Sequence, residues 1–150
     1  EKNGVKTAMT FSDPAMVQFF KDGLKEMIGA GVDLLFCNEE EAMLFADTDT
    51  LEDAISFMKT QAKTFAITLG SKGAIAFDGK TTHVIEANPT TAVDSNGAGD
   101  MFAGAFMYAI THGHDFAAAG RLASAASSQV VSQFGPRLDA EQHEPLKAVL

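Results

Sequence analysis

Three features of the sequence predict a layered α/β fold with a mainly parallel sheet. Short apolar runs suit strands buried on both faces, longer stretches with helical spacing alternate with them, and capping or turn residues stand at the junctions. Residues 5–11 read as the first buried strand, and Ser12-Asp13-Pro14 then supplies capping side chains with a proline fit for a first helical turn. The helix expected from Pro14 to Ile28 carries Met16, Val17, Phe19, Phe20, Leu24, Met27 and Ile28 at helical spacing, and Gly29 with Gly31 ends it. Residues 32–37 are a second buried strand, followed by Asn38 and the acidic helix start Glu39-Glu40-Glu41. A helix over residues 51–60 leads to a strand over 65–69. Gly70-Ser71-Lys72-Gly73 then turns the chain into a strand over 74–77, and Asp78-Gly79 makes a hairpin turn into 82–86. After Pro89 a β-like stretch runs to Val93, a glycine-rich turn follows, and helices are expected over residues 101–111 and 116–133.

A chain of 150 residues with 46% apolar content holds one compact core, so one globular domain is expected. With 20 acidic against 11 basic residues the net charge is −9, a surface that repels phosphate backbones, which disfavours nucleic-acid binding. No apolar run reaches the roughly 18 residues of a membrane span, and residues 1–6 lack the pattern of a signal peptide. The single cysteine, Cys37, excludes an internal disulfide and any multi-cysteine zinc site, in keeping with a reducing compartment, so a soluble cytoplasmic protein is expected. The chain starts with Glu1 and its strongest motif lies two-thirds along, the pattern expected of a fragment of something longer.

The chemistry concentrates in Asp94-Ser95-Asn96-Gly97-Ala98-Gly99-Asp100. Small residues ahead of a helix let backbone amides point into one concavity, where the helix dipole adds partial positive charge, so the turn reads as an anion site. Asp100 stands at the mouth of that helix, where a carboxylate base beside a bound phosphate makes a phosphoryl-transfer arrangement. The plain alternative is a turn with an acidic residue complementing the dipole. A dinucleotide fingerprint fails because Phe102 stands where a third glycine belongs. A Walker A loop fails because Ala74 occupies the place of its first glycine and a strand follows.

The seven-residue segment resembles the C-terminal signature, D-T-x-G-A-G-D, of the ribokinase family, also called the phosphofructokinase B carbohydrate kinases. Asn38-Glu39-Glu40-Glu41 resembles the family's N-x-x-E motif, and Thr68-Leu69-Gly70-Ser71-Lys72-Gly73 its T-x-G-x-x-G nucleotide turn, in matching order and spacing. The resemblance spans nearly the whole chain and implies the C-terminal half of a three-layer, doubly wound, ribokinase-like kinase domain, without the acceptor-binding half and its lid. Asn96 and the phrase Phe36-Cys37-Asn38-Glu39-Glu40-Glu41-Ala42 lean toward adenosine-kinase-like members.

By that resemblance the protein is an ATP-dependent phosphotransferase acting on a hydroxyl of a sugar or nucleoside. Asp100 is then the general base, and the amides of Gly97, Ala98 and Gly99 hold the charge developing on the phosphoryl group. Glu41 with Asn38 orders Mg²⁺ through waters. Thr68, Gly70, Ser71 and Gly73 shape the nucleotide side, and Ser124 on the late helix lies near the base. Asp94 and Asn96, with the loop around Gly135, form a monovalent-cation site for K⁺; ordinary turn capping is the other reading of Asp94. Three glutamates opening a helix are, by themselves, dipole-complementing surface charges, and the motif singles out Glu41 alone.

Ser95 departs from the family's threonine but keeps the hydroxyl. His83, His112, His114 and His143 are scattered and read as non-catalytic, and Cys37 reads as a core thiol. The reading from another class is a nucleotide-binding or regulatory module of the same fold without turnover. The acceptor's identity and the oligomeric state belong to the half not represented.

Overall fold

The computed structural model describes residues 4–150, and the chain divides into two compact units, Glu1–Thr68 with Phe77–Thr81 and Leu69–Ala76 with Thr82–Leu150. The strands belong to an open, mixed, five-stranded sheet with helices.

In the first unit β1 (Ala8–Thr10), β2 (Val32–Asn38) and β3 (Ala62–Thr68) run parallel in that order. Parallel neighbours need crossover connections, and the helices provide them: α1 (Pro14–Ile28) between β1 and β2, then α2 (Glu39–Ala46) and α3 (Leu51–Gln61) between β2 and β3. Asp13 caps α1 by accepting from the Met16 N–H at 2.9 Å, and Thr50 caps α3 by accepting from the Asp53 N–H at 3.2 Å. The core contains Phe11, Phe45, Met58, Phe65 and Ile67, with Phe11 and Phe45 ring centroids 4.6 Å apart. Cys37 is buried in β2, and desolvation pushes its thiol well above the ordinary range, so it is a core residue.

The first strand is shorter than expected, three residues rather than seven. Helix α1 also buries less of its apolar surface than its sequence offers. Val17, Leu24 and Ile28 face inward, whereas Phe19 and Met27 are 72% and 69% exposed within this chain, because seven apolar residues wrap further round a helix than one inward face.

The second unit holds β4 (Ala74–Phe77, its last residue counted with the first unit) and β5 (Thr82–Ile85), then α4 (Ala98–Thr111), α5 (Phe116–Val131) and α6 (Ala140–Leu146). Gly120 lets α5 close onto β5: a Cβ there would lie 2.5 Å from Ile85 side-chain atoms. Phe106 and Val130 are fully buried between α4 and α5. The expected strand ending at Val93 is absent; the Val93 and Asp94 amides both donate to the Val131 carbonyl, at 2.7 and 3.2 Å, so this stretch docks on the end of α5 instead. Helix α4 starts three residues earlier than expected, and α6, broken up in sequence by Pro145, was not anticipated.

Candidate functional site

Two groups of the expected residues form, each inside one unit. In the first, Asn38 and Thr68 are register partners at the carboxyl ends of β2 and β3, the edge of a parallel sheet where ligands characteristically bind. Asn38 is also the N-cap of α2. Its side-chain carbonyl accepts from the Glu41 N–H at 2.8 Å, while its backbone N–H and side-chain amide donate to the two Glu41 oxygens, both at 2.9 Å. This reciprocal capping box leaves Glu41 only 4% exposed. Burial raises the Glu41 carboxyl above its ordinary value, the Asn38 amide pulls it back, and the negative charges of Asp13 and Glu40 push it up further.

The second group lies at the start of α4. Gly97 is its N-cap at φ +77°, and a Cβ there would fall on the Pro136 carbonyl oxygen and within 2.7 Å of Pro136 Cα and Cβ. Only glycine meets both conditions. No side chain caps this helix. The Ala98 N–H closes a turn onto Ser95 O at 3.3 Å, but among the described residues the amides of Gly97, Gly99 and Asp100 have no acceptor. Three donors are thus left at the positive end of a 14-residue helix. Amides of Gly97, Ala98 and Gly99 were expected; the Ala98 N–H is engaged by Ser95 O, and the Asp100 N–H is without an acceptor among the described residues.

The Asp100 side chain is exposed and lines a cavity of about 660 Å³ with Met101, Gly104, Tyr108, Arg137 and His143 among its walls. Arg137 and His143 belong to the loop after α5 and to α6, and no motif pointed to them; helical spacing of Asp100, Gly104 and Tyr108 along α4 is the signal that relates those three.

Asp94 ties the turn down. Its carboxylate accepts from the Asn96 N–H at 3.0 Å and the Gly135 N–H at 3.1 Å, and these two bonds lower its pKa. They account for the carboxylate as a loop cap that also reaches the segment after α5.

Other expected residues have partners or surroundings of their own. Ser124 donates to Glu86 O at 2.9 Å and accepts from the Asn88 side chain at 3.1 Å, which commits its hydroxyl to the chain leaving β5. Ser127, one turn on, donates to Ala98 O at 2.7 Å and so touches the signature; sequence reading passed over it. Gly70 and Ser71 lie exposed in a short 3-10 turn, Gly70–Lys72. Gly73 is required by packing, since a Cβ would strike Ile85 O and approach Ala87 N at 2.9 Å.

Among the described residues no group of three or more His, Cys, Asp or Glu gathers as a metal cage. A single carboxylate with hard oxygen donors, Glu41, suits an ion such as Mg²⁺ that keeps most of its waters and takes few protein ligands. Among the same residues no helix is long and apolar enough to cross a membrane.

Comparisons with known proteins bear on the family and the fold. The family described as "pfkB family carbohydrate kinase" matches residues 1–143. A ribokinase of Lactococcus lactis is 34% identical over 79% of this chain and 39% of its own length, and an adenosine kinase of Saccharomyces cerevisiae is 27% identical over 95% of this chain and 45% of its own. In structure, a probable sugar kinase of Rhizobium etli superimposes with a TM-score of 0.93 at 30% identity, covering 99% of this chain and 46% of that one. An adenosine kinase of Sinorhizobium meliloti gives the same TM-score and coverage at 28% identity. The chain therefore spans about half the length of the relatives it matches or less. With three motifs in register, the uncapped α4 start they place and a family match over nearly every residue, the chain belongs to the pfkB family of carbohydrate kinases.

Proposed function

We propose that this chain is the C-terminal part of a ribokinase-like kinase that transfers a phosphoryl group from ATP to a hydroxyl of a sugar or nucleoside. The observation that carries the reading is an exposed carboxylate, Asp100, in the same helical turn as backbone amides that have no acceptor among the described residues. An uncapped helix start is an incomplete structure by itself, and an anion completes it.

In this reading the Asp100 carboxylate takes the proton of the acceptor hydroxyl as the acceptor oxygen bonds to phosphorus and the bond from phosphorus to the departing ADP oxygen breaks. The amides of Gly97, Gly99 and Asp100 hold the negative charge on the transferred group; one such fixed donor is worth about 3–4 kcal/mol in the transition state. Gly97 seats the turn against Pro136, and Asp94 holds it to Gly135, so the donors are in place before reaction. When bound, Mg²⁺ neutralises phosphate charge; Glu41 with Asn38 is the pair to hold its water shell. Thr68 and the Gly70–Lys72 turn take the nucleotide side. An E. coli protein described as a putative ribokinase II in complex with ATP and Mg²⁺ superimposes on this chain at 25% identity with a TM-score of 0.83, and an Arabidopsis thaliana ribokinase complexed with ribose and ATP does so at 25% and 0.76.

The test is ADP release by the intact protein against a panel of pentoses, hexoses and nucleosides. Turnover with one class, abolished in Asp100→Asn, supports the reading. ATP binding without turnover on any acceptor overturns it in favour of a nucleotide-binding module.

A further inference from the structure

We propose that Ser127 is a positioning residue of the anion hole, aiming the Gly99 N–H by gripping the opposite end of the same peptide group. The inference rests on the kinase reading above. Ser127 Oγ donates to Ala98 O at 2.7 Å, from α5 to the first residue of α4. The Ala98 carbonyl and the Gly99 N–H belong to one planar trans peptide, so fixing the oxygen fixes the direction in which the hydrogen points. The Ala98 N–H, on the preceding peptide, is held by Ser95 O at 3.3 Å. Two successive peptide planes are therefore tied from outside the helix.

Gly99 is where such a tie matters. It is exposed, and apart from its chain neighbours and the backbone of its own helix no atom lies within 4 Å of where its Cβ would stand, so no side chain packs against this face of the plane. Hydrogen bonding to a carbonyl also polarises the amide on the same peptide, which makes the Gly99 N–H a better donor. The neighbouring hydroxyls do different work: Ser124 is engaged by Glu86 and Asn88, and Ser128 bonds within its own helix to Ala125 O at 2.8 Å. Ser127 is half-buried.

Steady-state ADP release by the intact protein tests this with Ser127→Thr and Ser127→Val, which share a shape and differ in the hydroxyl, alongside Ser127→Ala and Ser128→Ala. Loss of one aligning hydrogen bond is expected to lower kcat about three- to tenfold in Ser127→Val and Ser127→Ala while KM for ATP stays within about twofold. Ser127→Thr and Ser128→Ala should keep the unsubstituted rate. Equal kcat in Ser127→Thr and Ser127→Val overturns the inference and leaves the kinase reading standing. A rise in KM with kcat unchanged overturns it too, since that is a ground-state effect. Absence of turnover in the unsubstituted protein overturns the kinase reading and this inference with it.

Discussion

Helices α2 and α4 both carry acidic side chains in their first turn, and the fold treats them in opposite ways. At α2 the Asn38 side chain and Glu41 cap each other through three hydrogen bonds, and the carboxylate ends up 4% exposed. At α4 the N-cap is a glycine with no side chain to offer, three amides have no acceptor among the described residues, and the carboxylate of Asp100 stays exposed. The first helix start is complete within the chain. The second leaves its backbone donors to solvent or, in the reading proposed above, to the phosphoryl group.

Substitutions at the two helix starts should separate them, and the largest effect is expected at Asp100. Asp100→Asn removes the proposed base without changing shape, so kcat of the intact protein should fall about 10²- to 10⁴-fold with ATP affinity little altered, as read by ADP release and nucleotide titration. A variant within threefold of the parent would leave Asp100 as an acid that only complements the helix dipole. Gly97→Ala comes next: it forces a side chain into a left-handed backbone against Pro136, so stability should drop by about 1–3 kcal/mol in chemical denaturation, with turnover lost in parallel.

Glu41→Ala opens the capping box and should cost about 1 kcal/mol of folding stability. Its pH signature is distinctive. Burial raises the Glu41 carboxyl in the folded chain, so the folded state holds this proton more tightly than the unfolded one. The stabilisation is fully present below the ordinary value of 4.5 and is lost as pH rises through the folded value. Glu41→Gln should flatten that decline in denaturation curves taken from pH 4.5 upward. The smallest effect is expected at Asp94, whose pKa is lowered by the Asn96 and Gly135 amides. Its contribution is present above the ordinary value of 3.8 and disappears on acidification, so Asp94→Asn should differ from the parent near neutrality and converge with it in acid.

Much of the fold could be read in the chain because local rules agree with one another. Pro14, Asn38 and the Asp78-Gly79 turn mark the boundaries of α1, α2 and the β4–β5 connection where the structure has them. The misreadings have physical causes. Val93 looks like a strand residue, yet its amide finds a carbonyl at the end of α5. Pro145 hid α6, which survives because the chain ahead of it is capped through Asp139 and Gln142, the Asp139 N–H donating to the Gln142 side chain at 2.7 Å. Phe19 and Met27 look like core residues because periodicity counts apolar faces without saying how many are covered.

The same division runs through the candidate site. The order of residues alone determined the glycine-rich turn, the acid that follows it and the Asn38–Glu41 pair, because each depends on neighbours within about four positions and on backbone preferences that travel with residue type. Which hydroxyl of α5 meets the signature was decided only by packing: Ser127 and Ser124 are both serines on one helix, three residues apart, and a contact from residue 127 to residue 98 depends on how closely two helices approach. So was the role of Gly73, whose missing side chain makes room for Ile85 from a strand further along the chain. Long-range contacts of this kind carry no local signature, and only the folded chain brings their partners together.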